Sequence, residues 1–200
     1  MIIPSSKPRL HSSDVLKIIN HYDVDLAKYP LVCVGVRGYY LDSMGDLNKN
    51  DRGIYDDAIF LYSDNLCIAY NGNTDPSYQR KGKGTGEGKG MACLVEGVYY
   101  VHKFDLHKGK YMALCQRAGE VTVLRDGDPP YLDKGNFGIN IHRGGNTTTS
   151  SEGCQTIAPT QWSSFIETAK SEAKRFLGLE YNLIVVPYCL ISEENRKAII

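Results

Sequence analysis

The sequence lacks most of the features that assign a small protein to a class at first sight. Its 23 Lys and Arg residues balance 23 Asp and Glu residues, so no net charge attracts nucleic acid or an anionic membrane. No apolar run is long enough to span a bilayer, and the amino terminus has no basic start followed by an apolar core. These absences predict a soluble cytoplasmic product without a signal peptide, without membrane insertion and without nucleic acid as a partner.

Cysteine and histidine are present, but not in the spacing of a metal site or a disulfide scaffold. The six cysteines form no Cys-x-x-Cys pair, and the five histidines have no zinc-ligand spacing relative to them. Four cysteines lie within apolar, strand-like runs, where this residue behaves as a small buried hydrophobe: Cys33, Cys67, Cys93 and Cys115. We therefore expect no metal and no other cofactor.

Short apolar segments bounded by Gly, Asp or Asn dominate the chain from residue 31 and predict a mainly β fold. The predicted strands cover 31–36, 58–62, 66–70, 97–104, 111–116, 121–124, 137–142 and 183–186. Amphipathic patterns predict one helix that begins near Ser12 and a second that follows Pro159. The stripe of Trp162, Phe165 and Ile166 on the second helix is typical of a face that packs on a core. Many short strands at close spacing favour a sandwich or barrel.

The length of 200 residues and a hydrophobic content of 42% are sufficient for one domain with a sizeable core. We expect residues 1–55 to form an N-terminal extension that packs on a main body formed by residues 56–200. Within that body, the stretch Arg80–Gly90 alternates Gly with charged residues. This pattern is more typical of a mobile loop than of a lid that grips a substrate.

The most informative stretch ends one predicted strand and then enters a polar turn. An apolar run, Gly-Ile-Asn-Ile, delivers His142 at its end, and Cys154 follows twelve residues later in the turn Ser-Glu-Gly-Cys-Gln. A polar turn predicts an accessible thiol, and a nearby imidazole would lower the pKa of that thiol and later return the proton. We interpret Cys154 as a nucleophile and His142 as its base.

Less specific interpretations apply to the same residues. A lone cysteine in a small protein is usually an inert buried residue, and a histidine that ends an apolar strand often only caps it. The polar neighbours of Cys154 favour the reactive interpretation. We expect His102 and His107 to lie at the surface, with His102 as the reserve base.

Five residues match, in order, the catalytic signature of the L,D-transpeptidase family: His142, Gly144, Ser151, Gly153 and Cys154. In that family a strand ends in Ile-His-Gly, and a later turn reads Ser-His-Gly-Cys. The resemblance is strong over about residues 136–160. Two positions depart from it, because Glu152 stands at the place of the second His and Thr156 at the place of the usual Arg or Asn.

The resemblance implies an α+β, mainly β fold, namely an L,D-transpeptidase-like sandwich or barrel with a short N-terminal helix and a helix after the catalytic Cys. It implies acyl transfer on peptidoglycan stem peptides through a thioacyl-enzyme, without a cofactor. Cys154 and His142 would be catalytic together with Gly153, whose backbone freedom suits a turn that presents the N–H groups of residues 152–154 to an oxyanion. Six residues would contact substrate: Gly144, Gly145, Ser151, Glu152, Gln155 and Thr156.

Several alternatives remain open at this point. The enzyme would be a transferase if an amine resolves the thioester, or a carboxypeptidase or endopeptidase of the lysin or effector type if water does. A decayed wall-binding or structural protein is a further alternative. Glu152 would make the pocket more acidic. Either Asn140 or Asn146 would orient the ring of His142, unless a backbone carbonyl does so, as in the resembled family. A cytoplasmic product would act in the periplasm or cell wall only after release or delivery.

Overall fold

The computed structural model describes residues 2–82 and 88–200 and shows a mainly β protein with a few helices. Its strands are β1 (Val32–Arg37), β2 (Asp57–Ser63), β3 (Leu66–Asn73), β4 (Ala92–Leu94), β5 (Gly97–His107), β6 (Tyr111–Gln116), β7 (Val121–Arg125), β8 (Tyr131–Gly135), β9 (Ile141–Arg143), β10 (Gln155–Ile157) and β11 (Val186–Ser192). Its helices are α1 (Ser12–His21), α2 (Trp162–Leu177) and α3 (Glu193–Ile199), and a 3-10 segment covers Gly178–Leu183. The mainly β prediction is confirmed at this level.

Eight strands close into a barrel in the order β1, β11, β5, β6, β9, β10, β3, β2. The pairs β1–β11 and β9–β10 are parallel, and the other neighbours in the barrel are antiparallel. Strands β4, β7 and β8 form a separate antiparallel sheet. Because the barrel closes, β9 and β10 each have a hydrogen-bonded neighbour on both sides.

Two hydrophobic clusters lie on the two faces of the barrel strands. Residues Val32 and Val34 of β1 pack in the cluster that includes α1, whereas Cys33 between them packs in the cluster that includes α2. This alternation follows from the period of two along a strand. The predicted face of Trp162, Phe165 and Ile166 is confirmed as a core-packing face, because all three side chains are buried in the α2 cluster.

The division predicted between residues 1–55 and 56–200 runs through the barrel. Strand β1 lies between β2 and β11 and supplies hydrogen bonds to both. Residues 32–37 are therefore a part of the barrel, and not of an extension that packs on its outside. Within the described residues, no helix is both long and apolar enough to cross a membrane.

The predicted strand over 137–142 is shorter than the sequence suggested. The N–H groups of Phe137 and Ile139 donate to the side-chain oxygen of Gln116, at 3.2 and 2.9 Å, instead of to a neighbouring strand. Only Ile141–Arg143 forms ladder pairs. The last predicted strand is displaced towards the carboxyl terminus, because the 3-10 segment after α2 occupies residue 183.

Strand β1 contains Gly35, where a side chain would collide with the buried ring of Tyr188 on the neighbouring β11. We expect Gly35→Ala to lower the free energy of unfolding by about 1–3 kcal/mol, because overpacking forces the ring or the strand to move. Urea denaturation measures this change. The matched control is Gly119→Ala, whose new methyl group would meet only a methyl of Val101 at 3.3 Å. Equal effects of the two substitutions would contradict the expectation.

Candidate active site

Two short parallel strands bring the predicted nucleophile and its predicted base to one face of the barrel. Thr156 of β10 pairs with His142 of β9, and Cys154 immediately precedes β10. Cys154 and Thr156 are two residues apart, so their side chains leave the sheet on the same face. With strands about 4.8 Å apart and a rise of about 3.3 Å per residue, the Cα atoms of Cys154 and His142 are about 8 Å apart.

Both residues line one cavity of about 570 Å³. The same wall includes Asn140, which directly precedes β9, and the loop residue Gly138. Four cationic side chains and one carboxylate also line it: Arg80, Lys89, Lys108, Arg125 and Glu152. The cavity is therefore large enough for a peptide segment and carries an excess of positive charge.

The thiol of Cys154 is held by the backbone in its resting position. Its Sγ donates to the carbonyl oxygen of Gly138 at 3.2 Å and accepts from the N–H of Asn140 at 3.4 Å. Within the described residues no hydrogen bond joins Sγ to His142. Burial raises the pKa of the thiol to about 11, although the N–H of Asn140 and the charge of Lys108 act in the opposite direction. The group is a thiol at neutral pH, which corrects the expectation of a lowered pKa. Cys154 itself is partly exposed and lines the cavity.

The ring of His142 is almost completely buried and is oriented by a backbone carbonyl. Its Nδ1 lies 2.8 Å from the carbonyl oxygen of Arg143, which accepts the Nδ1 proton, and 3.4 Å from the hydroxyl of Tyr111. A proton on Nδ1 leaves Nε2 with a free lone pair. Burial is the main cause that lowers the pKa of His142 to about 4, and the charge of Lys108 acts in the same direction. The imidazole is therefore neutral and able to accept a proton at neutral pH.

Neither asparagine that flanks His142 in the sequence orients its ring. Asn140 directs its amide nitrogen to Nδ1 of His107 at 3.0 Å, and Asn146 is exposed. The carbonyl of Arg143 performs this role, in the manner that the resemblance implied.

Ser151 shapes the turn that precedes Cys154. Its hydroxyl donates to the carbonyl oxygen of Cys154 at 2.7 Å and accepts from the N–H of Gly153 at 3.0 Å. Its own N–H donates to the hydroxyl of Ser77 at 2.8 Å, and the N–H of Ser77 donates back to its carbonyl oxygen. Ser151 is buried and its hydroxyl is fully used within the turn, so its observed role is to hold Cys154 in place.

Gly153 has a backbone conformation that other residues rarely adopt, with φ at +151°. A Cβ at this position would collide with the carbonyl oxygen of Ala92. Since the N–H of Gly153 is bonded to Ser151, it is not free for a substrate. The N–H groups of Glu152 and Cys154 have no acceptor among the described residues.

The other predicted contact residues fall into two groups. Gly144 and Gly145 line a second cavity of about 620 Å³, which shares His107 and His142 with the first. Gln155 and Thr156 are completely buried and line neither cavity. The amide of Gln155 is bonded to the hydroxyl of Tyr188 at 2.8 Å and to the carbonyl of Gly153 at 3.2 Å.

The charges of the cavity differ from the acidic pocket that Glu152 suggested. Glu152 is exposed, and its carboxylate lies 3.4 Å from the guanidinium of Arg80. Lys89 and Arg125 share the carboxylate of Asp133, at 2.7 and 3.1 Å. Lys108 has no ion pair or side-chain hydrogen bond within residues 2–82 and 88–200. The cavity therefore attracts anionic groups.

The hairpin of β5 and β6 contributes a residue that the sequence analysis placed at the surface. His107 ends β5 and is only 6% exposed, and its ring stacks on that of His142 with 4.1 Å between centroids. His102 is also not at the surface, because its ring is completely buried and its Nε2 lies 3.0 Å from the carbonyl oxygen of Ile139. His102 lines neither cavity, so it is not placed to serve as the reserve base.

The two ends of the Gly-rich stretch border the site. Arg80 and Lys89 lie on its two sides and line the first cavity. The prediction of a mobile loop between them falls on residues 83–87, which lie outside the described residues.

Comparison with known proteins identifies no relative: no protein family matches the chain, and no curated protein or solved structure is significantly similar to it.

The raised pKa of Cys154 predicts how its alkylation depends on pH. Only the thiolate reacts with iodoacetamide, so we expect the rate at Cys154 to rise about tenfold per pH unit between pH 7 and pH 10. Mass analysis of the peptide that contains Cys154 measures this rate against the other five cysteines as internal references. A rate that is already maximal at pH 7 would contradict the expectation, because it would indicate a preformed thiolate–imidazolium pair.

Proposed function

We propose that the chain is a cysteine-nucleophile acyl-transfer enzyme that acts on peptidoglycan stem peptides through a thioacyl-enzyme, in the manner of the L,D-transpeptidases. One observation carries this proposal: Cys154 and His142 line the same cavity. The pairing of β9 with β10 places both residues on one face of the sheet, Cys154 just before β10 and His142 on β9. The ordered motif supports the same conclusion. The substrate implies action in the periplasm or cell wall, after release or delivery.

The first step is an attack by sulfur that is coupled to proton transfer. The thiol leaves the carbonyl of Gly138 and turns towards Nε2 of His142, which takes the proton while Sγ attacks the peptide carbonyl carbon. The resulting tetrahedral oxyanion accepts hydrogen bonds from the free N–H groups of Cys154 and Glu152. Because Gly153 fixes the turn, these two donors are oriented before the reaction begins.

The second step separates the products of the cleaved bond. The tetrahedral intermediate collapses to a thioester on Cys154, the C–N bond breaks, and Nε2 of His142 gives its proton to the leaving amine. An incoming amine of a second stem peptide then forms a new amide, or water forms a carboxylic acid. The former product defines a transpeptidase, and the latter defines a carboxypeptidase or endopeptidase.

The cationic lining supports a stem peptide as the acyl donor. Stem peptides carry free carboxylates. A cavity lined by four cations and one carboxylate favours negatively charged ligands. Lys108 is the cation without a partner within the described residues, and its charge lowers the pKa of the Cys154 thiol. A carboxylate placed beside Lys108 would therefore lie close to the nucleophile.

Purified sacculi provide the direct test of the proposed activity. We expect the wild-type protein to change the muropeptide pattern on mass analysis, either by new crosslinks or by shortened stems, and Cys154→Ala to abolish this change. The matched control is Cys67→Ala, since Cys67 is partly buried and lines neither cavity. An unchanged pattern with the wild-type protein, or equal activity of Cys154→Ala, would overturn the proposal and leave a binding or structural role.

The charge of Lys108 predicts a specific effect on substrate affinity. We expect Lys108→Gln to raise KM for an acidic stem peptide about three- to tenfold with a small effect on kcat, and to weaken the dependence of KM on salt. Steady-state kinetics at two ionic strengths measures both effects. Lys103→Gln is the control, because Lys103 lies on β5, the strand that directly precedes Lys108, and lines neither cavity. Equal changes in the two variants would contradict this role.

A further inference from the structure

A second imidazole lies against the base of the candidate active site. The rings of His107 and His142 are stacked, with 4.1 Å between centroids and 23° between planes. The contact joins the end of β5 to β9, two strands that are not neighbours in the barrel, because β6 lies between them. His107 has no part in the mechanism described above, yet it is buried and lines both cavities.

The protonation state of His107 is fixed by Asn140. The side-chain oxygen of Asn140 accepts the backbone N–H of Gln116 at 2.8 Å, so its NH₂ group must face His107. That group donates to Nδ1 of His107 at 3.0 Å. Nδ1 is therefore an acceptor without a proton, and the ring carries its single proton on Nε2. A proton on Nδ1 would place two N–H groups face to face and cost the hydrogen bond.

The charges around the two rings also disfavour a positive charge on His107. Burial and the charges of Lys108 and Arg117 lower the pKa of His107. The hydroxyl of Tyr111 on β6 lies 3.4 Å from Nδ1 of His142, and Cys154 lines the same cavity as both histidines. The guanidinium of Arg143 lies over the ring of Tyr111 at 5.3 Å. Among the residues that the structure describes, the only carboxylate that lines this cavity belongs to Glu152, which is exposed and paired with Arg80.

We propose that His107 is a positioning residue for the base His142: a ring kept neutral by Asn140, which fixes the plane of the His142 imidazole and excludes water from its face. This inference rests on the proposed acyl transfer. During the reaction the proton moves from Sγ of Cys154 to Nε2 of His142 and then to the leaving amine. His107 neither gains nor loses a proton, and its neutral face lies against the imidazolium that forms transiently.

The protonation state can be measured without any substrate. In the wild-type protein labelled with ¹⁵N at histidine, we expect the NMR signals of His107 to show an unprotonated Nδ1 and a protonated Nε2 throughout the range from pH 8 to pH 6.5. At pH 6.5 an ordinary histidine is half protonated. An Nδ1–H tautomer, or a cationic ring at pH 6.5, would overturn the proposed role of Asn140 and with it the inference.

Two variants separate positioning from a merely structural role. His107→Ala opens space for water, so we expect kcat to fall about 10- to 100-fold at unchanged KM, and the NMR pKa of His142 to rise by at least one unit. His107→Phe keeps a flat neutral ring, so we expect a fall in kcat of only about two- to fivefold and a pKa of His142 that stays near its wild-type value. Thermal unfolding of both variants reports their folding.

The results distinguish this inference from the proposed function. Equal loss of kcat in the two variants, or an unchanged pKa of His142 in His107→Ala, would overturn the positioning role even if sacculi are modified. If His107→Ala does not fold, the tautomer in the wild-type protein and the pKa of His142 in His107→Phe still test the claim. If the wild-type protein leaves sacculi unchanged while the NMR results are as expected, the acyl-transfer proposal fails. The neutral state of His107 beside His142 would still be established.

Discussion

The parallel pairing of β9 with β10 is the constraint on which the site depends. It brings together two segments that are separated by a polar loop, and it offsets Cys154 from His142 by two residues on one face. Strands β6 and β3 flank the pair, so neither strand is an edge that can slip or fray. The hydrogen bond from the N–H of Gln155 to the carbonyl of Asn140, at 2.9 Å, continues this pairing up to the nucleophile.

Burial then determines the chemistry that this geometry allows. The thiol with a pKa of about 11 and the imidazole with a pKa of about 4 are both neutral in the resting site. Moving the proton between them without substrate is therefore unfavourable. In the proposed reaction, the free N–H groups of the turn and the cations of the cavity would stabilise the negative charge that develops on a bound substrate. The site is therefore suited to general-base attack within a complex, and not to a permanently ionised thiolate.

Local sequence patterns predicted much of the fold because they report which residues are buried. The period of 3.6 predicted α1 and α2, and alternating apolar residues predicted most barrel strands. Strands β4, β8 and β10 were not predicted, because β4 and β10 have only three residues each and β8 has the pattern Tyr-Leu-Asp-Lys-Gly with few buried positions. Their existence depends on neighbours that are distant in the sequence.

The candidate site was predictable only where residue types and their spacing along the chain form a recognisable motif. The pair of Cys154 and His142 follows from residue types and spacing, but the contribution of His107 depends on the order of strands in the barrel. The resemblance implied that Gln155 contacts substrate. The alternation of β10 instead turns it towards Tyr188, where both ends of its amide are bonded.

The most direct test of the central claim is to trap the covalent intermediate. The wild-type protein would be mixed with a stem tetrapeptide, quenched in acid within a second, and analysed by intact-protein and peptide mass spectrometry. The account predicts one added acyl group on Cys154, which is absent in a His142→Gln variant under the same conditions. An adduct on another residue, or turnover of the peptide by a Cys154→Ser variant at the wild-type rate, would contradict it.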